Sequence, residues 1–147
     1  KLLAPLEGVL LSEGKDFILL HQRGSHSPWN LRYSPQMNRF QATASDDRRH
    51  HYDNSMLEFD LFWNELDALL SKSPKKILVV YVSDQGEATG KDGQWGHGFL
   101  GRMSFEVPFI VRSYSAPLPS GTRSLPDYLP HYNVGLYLAQ QLGVSFN

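Results

Sequence analysis

Cysteine is absent from the 147 residues, which removes disulfide frameworks and thiolate metal sites together. That absence does not choose a compartment, because both cytosolic and exported proteins can lack thiols. No apolar run approaches the ~20 residues needed to cross a bilayer. The opening Lys1-Leu2-Leu3-Ala4-Pro5 has no signal-peptide core or cleavage site, so the chain as given is expected to be soluble. An excess of charge of one sign is missing too: 14 Lys and Arg stand against 15 Asp and Glu. The bases gather on no predicted helix, so the electrostatic footprint of a nucleic-acid binder is lacking and nucleic acid is set aside as a partner.

What is present is a folding composition, 41% apolar and 20% charged, in one domain's worth of chain. The first residue is not methionine and an apolar pattern begins at once (Leu2, Leu3, Leu6, Val9, Leu10), which suggests a longer protein. Helical spacing predicts a short helix from Leu3 to Leu11, ended by Gly14. Asp16-Phe17-Ile18-Leu19-Leu20 has the length and apolarity of a strand buried on both faces of a parallel sheet. Gly24-Ser25-His26-Ser27-Pro28 is turn chemistry, followed by a long polar loop to about His51. From Tyr52 to Leu70 apolar residues recur at three- and four-residue steps, which predicts a helix with Asp53 and Asn54 in its first turn. Arg48-Arg49-His50-His51 reads as a solvated run in front of that helix, with a grip on anionic lipid or phosphate as the alternative.

Ile77-Leu78-Val79-Val80-Tyr81-Val82 is the clearest strand and runs directly into Ser83-Asp84-Gln85-Gly86-Glu87. The six glycines between Gly86 and Gly101 suit a loop bending tightly around something. Val107 to Val111 reads as another strand, Pro117, Pro119, Gly121, Pro126 and Pro130 punctuate a surface connection, and Tyr132 to Leu142 reads as a helix closed by Gly143. This alternation implies an α/β fold, a mostly parallel sheet flanked by helices. In such sheets ligands sit beyond the carboxyl ends of the strands. Asp84, His21 and His26 occupy such ends, and His97 lies in the glycine-rich loop. Carboxylate and imidazole from separate loops can surround a divalent cation. The same residues also read, one by one, as turn, capping or solvated side chains.

Several segments carry a resemblance. Ile18 to Pro28, with Arg32-Tyr33-Ser34-Pro35 after it, resembles the "GSHGP…RYP" segment of bacterial phosphoethanolamine transferases. Tyr52-Asp53-Asn54-Ser55 looks like their "YDNS/T", and Val80 to Glu87 like their "YxSDHGES". Gly93 through His97-Gly98 is similar to "ENGxYxHG", and Val107-Pro108-Phe109-Ile110 to "VPxxxW". The blocks run in the family's order over most of the chain.

The resemblance implies an alkaline-phosphatase-like, sulfatase-like domain of which residues 1–147 are the C-terminal portion. It implies a metal site, zinc with Mn²⁺ or Mg²⁺ as alternatives, to which Asp84 contributes, with His26 and His97 at the substrate or second-metal position and His21 in support. The remaining ligand, a Glu, and the nucleophilic Thr come in the family from the N-terminal half of the domain, so the fragment alone is expected to be inactive. Family members move phosphoethanolamine from a phospholipid donor to a lipid or glycan acceptor through a phosphorylated Thr. They are held in the inner membrane by N-terminal helices and face the periplasm. One departure stands out: the family's Asp-His pair is Asp84-Gln85 here, and an amide oxygen is a weaker ligand for zinc than imidazole. That leaves a sulfatase- or phosphodiesterase-like hydrolase, or a non-catalytic member, as alternatives. Apolar surface left bare by a missing half is expected to favour a dimer of the fragment.

Overall fold

The computed structural model describes residues 2–14, 17–42, 47–124 and 128–145. Its elements, in chain order, are α1 (Leu3–Leu10), α2 (Arg48–Leu70), β1 (Ile77–Val82), β2 (Ala88–Thr89), β3 (Trp95–Gly96), α3 (Arg102–Phe105), β4 (Phe109–Tyr114) and α4 (His131–Leu142). Short 3-10 turns at Trp29–Leu31 and Pro35–Met37 interrupt the loop before α2. Among the described residues no helix is long and apolar enough to cross a membrane.

The core forms where apolar stripes meet. Leu6 and Leu10 of α1, Leu66 and Leu70 of α2 and Tyr114 of β4 are buried together, with Phe62, Trp63, Ile77 and Val79 packed around them. Burying each such aliphatic side chain contributes roughly 1.5–3 kcal/mol. Tyr114 brings a polar tip into this cluster and satisfies it by donating its hydroxyl to Asp67 Oδ1 at 2.7 Å. Arg112 pairs with the same carboxylate at 2.6 Å. α4 ends as its sequence predicts, on Gly143 at φ 72°.

The helix-and-sheet class stands, but the sheet differs from the expectation of parallel strands. β1 pairs with β4 antiparallel, from Ile77 opposite Tyr114 to Val82 opposite Phe109. β2 and β3 form a second, very short antiparallel pair. Parallel pairing needs a crossover, usually a helix laid across the sheet. The connection from β1 to β4 holds only the small β2–β3 hairpin and the four-residue α3, so the chain turns back instead of crossing over.

The strand expected over Asp16 to Leu20 does not form among the described residues, from which Asp16 is excluded. No strand pairs with residues 17–20, and Phe17 and Leu19 are 65% and 80% exposed. Only Leu20 reaches the core cluster. Apolar content selects a strand only where another strand supplies hydrogen-bond partners. Pro126 likewise lies outside the described residues.

Helix α2 starts earlier than its apolar period suggests, so Arg48 to His51 is its first turn and not a run ahead of it. Asp53 and Asn54 therefore lie inside the helix. Asp53 takes both of its oxygens to Arg49 Nε at 3.1 Å, one turn back. Asn54 is fully buried: it accepts the Phe40 amide at 3.0 Å and donates to Asn38 Oδ1 at 2.9 Å. This ties the preceding loop onto the helix and brings Trp29 against it.

Candidate active site

Two loops converge beside the first turns of α2. The first leaves the 17–20 segment, turns at Gly24 and carries His26. Arg32 holds it by donating Nε–H to the His26 carbonyl at 2.8 Å. The second is the β2–β3 hairpin, which delivers His97. Its turn depends on Gly90, whose φ of 102° is the left-handed region that glycine tolerates. A Cβ at Gly90 would meet the Trp95 ring at 2.7 Å, so only glycine lets that indole fold back across the turn. Gly86 is needed for another reason: a Cβ there would collide with the Met103 carbonyl, close to where the Gly86 amide donates to Ser104 O at 3.0 Å.

The two loops bring His26 and His97 together, with ring centroids 4.9 Å apart and planes tilted by 59°. Their hydrogen bonds define the neutral tautomers. His26 Nδ1 lies 2.5 Å from the Ser27 carbonyl, which can only accept, so this nitrogen carries the proton. His97 Nδ1 lies 3.0 Å from Glu87 Oε1, again an acceptor. In both rings the lone pair is left on Nε2, the nitrogen that can ligate a cation or exchange a proton. Glu87 has only 11% of its side chain exposed. Its second oxygen, Oε2, is buried without a hydrogen-bond partner among the described residues.

Aromatic rings wall this region. Trp29 packs edge-on against Tyr52 at 5.6 Å and lies 5.9 Å from Trp95. The Tyr52 hydroxyl titrates above its ordinary range, first because it is buried and then because Glu87 is nearby. Tyr81 is raised in the same sense by burial, by Tyr52 and by Asp84.

Asp84 is exposed just beyond β1, where the sequence puts it. Its neighbour Ser83 gives its hydroxyl to the Gln85 carbonyl at 2.8 Å and accepts His131 Nε2 at its own carbonyl at 2.7 Å. Gln85 is half-buried, and His21 is exposed. Among the described residues no group of three or more His, Asp or Glu side chains stands where one metal ion could be held. Asp84 thus completes no such group with His26 and His97, and the described donors do not make a full metal centre.

A protein-family model for sulfatases matches residues 1–132. The chain belongs to the sulfatase family. Within it, this sulfatase-family chain is 33% identical over 98 residues to phosphoethanolamine transferase EptA of Salmonella typhimurium, an alignment covering 58% of the chain and 18% of the relative. It is 33% identical over 103 residues to phosphatidylethanolamine transferase Mcr-2 of Escherichia coli, covering 61% and 19%. Among solved structures it superposes on the C-terminal periplasmic domain of phosphoethanolamine transferase EptC from Campylobacter jejuni with a TM-score of 0.67 and 27% identity. That match covers 76% of this chain and 41% of the other. The soluble domain of lipooligosaccharide phosphoethanolamine transferase A from Neisseria meningitidis gives a TM-score of 0.66, also at 27% identity. The matched part of the chain spans about a fifth of the curated relatives' length.

Sequence reasoning passed over Glu87 and the indoles of Trp29 and Trp95. Glu87 lies inside a segment that carries the family resemblance, but its partner His97 is ten residues away, a spacing that matches neither strand nor helix period. The one available hint was an acidic residue flanked by glycine-rich loop on the same side of a strand end.

Proposed function

We propose that this sulfatase-family chain is the C-terminal part of the catalytic domain of a phosphoethanolamine transferase. The intact enzyme would move phosphoethanolamine from a phospholipid donor to a lipid or glycan acceptor. The observation that carries this reading is the His26–His97 pair, 4.9 Å apart, with both Nε2 lone pairs left available. Imidazoles so placed can orient a phosphoryl group or pass a proton to or from its leaving oxygen. The relatives' names support the transferred group, and the likeness to the periplasmic domain of the Campylobacter enzyme supports a periplasmic setting; membrane attachment would lie outside these 147 residues.

A divalent ion, zinc or else manganese or magnesium, is the cofactor this reading calls for. Asp84, His26 and His97 would be this chain's share of the donors. Because the described residues assemble no three-donor group, the reading requires further ligands from beyond the described residues, and the roles given to His26 and His97 do not depend on a bound ion. Gln85 in the position of the family's His favours a second reading, a non-catalytic member that keeps the fold as a binding domain.

The test is transfer of a labelled head group by the intact protein, with His26→Ala and His97→Ala compared with the parent. Each variant is expected to lose about 100-fold or more in rate, the range for removing a group that moves a proton. Parental rates in both variants would sink the transferase reading, and an inactive but folded parent would favour the second.

A further inference from the structure

The basic run at the start of α2 lies on a cavity separate from the histidine pair. This space, about 340 Å³, is lined by Ser27, Trp29, Asn30, Arg48, His51 and Trp95, with Pro28 and Gly96 completing it. No carboxylate lines it. Two lining residues bracket the histidine site, since Ser27 follows His26 and Gly96 precedes His97.

Three observations specify what the cavity would take. Arg48 is exposed, places its guanidinium 5.7 Å above the Trp95 ring, and has no carboxylate partner among the described residues. Its neighbour Arg49, by contrast, is occupied by Asp53 and Thr89. Trp29 is only 5% exposed, and its indole Nε1, a donor that can never accept, is buried with no partner among the described residues. Leaving such a donor unpaired is unfavourable, because the hydration it gives up on burial is not replaced. Finally, Arg48 and His51 both belong to the first turns of a 23-residue helix, whose positive end faces this region. A positive charge, an N–H unpaired among the described residues and a helix start favour an anion with several acceptor oxygens. The two indoles add flat apolar walls for whatever carries that anion, and the volume exceeds what a bare phosphate needs.

We propose that this cavity is a second oxyanion site, holding a phosphate ester beside the histidine pair, with Arg48 and Trp29 as its binding residues. Seating a phosphorylated substrate there rests on the transferase reading; the anion site itself does not. The phosphate could belong to the donor head group or to a sugar phosphate of the acceptor.

The test uses the intact protein labelled with 5-fluorotryptophan, the signals of Trp29 and Trp95 being assigned by their loss in Trp29→Phe and Trp95→Phe. Inorganic phosphate is expected to shift both signals saturably, while sodium chloride at equal ionic strength does not. Arg48→Gln should weaken binding by about tenfold, and Trp29→Phe, which removes the N–H and keeps the packing, should weaken it severalfold when read on Trp95. The His26→Ala/His97→Ala double variant should bind phosphate like the parent. No saturable shift, an equal response to chloride, or unchanged affinity in both Arg48→Gln and Trp29→Phe would overturn the proposal. So would loss of binding in the double histidine variant, which would put the anion on the imidazoles instead. Competition by glycerophosphoethanolamine against glucosamine phosphate then distinguishes the sources, and tighter binding of either supports the site. Phosphate binding that survives in a protein without transferase activity would retain the site and dismiss the enzyme.

Discussion

Glu87 holds His97 by its Nδ1, with Oε1 3.0 Å away and the carboxylate nearly withdrawn from solvent. The pair joins the residue just before β2 to the residue just after β3, so one contact both braces the hairpin and fixes which imidazole nitrogen carries the proton. A carboxylate in this position orients an imidazole and selects its tautomer without touching the substrate, and losing such a partner typically costs 10–100-fold in activity or affinity.

On the transferase reading, Glu87→Ala is therefore expected to lower the transfer rate of the intact protein by about 10–100-fold. Glu87→Gln, whose amide oxygen can still accept from Nδ1, should recover part of that loss. The effect should fall on kcat more than on KM, since Glu87 acts through His97. Equal rates in the alanine and glutamine variants would dismiss an orienting role and leave only packing.

Gln85 offers a direct probe of metal binding. If the amide is the weak point of the site, Gln85→His in the intact protein should tighten zinc binding in a calorimetric titration. The gain should fade at acidic pH as the new imidazole protonates. An unchanged affinity would place the metal, if bound, away from the end of β1.

Tyr114 makes the fold sensitive to alkali. Its phenol is pushed up to about 12, first by burial and then by its hydrogen bond to Asp67. The folded state thus holds a proton that the unfolded chain releases near the ordinary tyrosine value of about 10. Stability from this group is fully present below pH 10 and is lost as pH rises towards 12. Tyr52 and Tyr81 are raised in the same sense. Urea unfolding at rising pH should show a loss of stability above pH 10 that is visibly smaller in Tyr114→Phe; identical slopes would contradict the shift.

The elements legible in advance were those whose physics is local. The 3.6-residue period of α2, the β-branched run of β1 and Gly143 after α4 depend only on residues a few positions apart, and all three are present. The start of α2 was misplaced because Arg48 to His51 carries no apolar period, yet those residues still continue the helix. Residues 17–20 show the reverse case, apolarity of strand quality with no strand beside it.

By itself the sequence determined the helices α1, α2 and α4 and the strand β1, the order of segments that marks the sulfatase family, and the placing of polar residues at the end of β1. Only the tertiary structure decided that β4 would return antiparallel to β1, that His26 and His97 would meet without Asp84 completing a three-donor group among the described residues, and that Glu87 would be the group holding one of them. The division has a physical cause. Backbone preference and amphipathic period are encoded within a few residues, whereas the meeting of two loops depends on how glycine turns, buried amides and core packing close the chain over long separations.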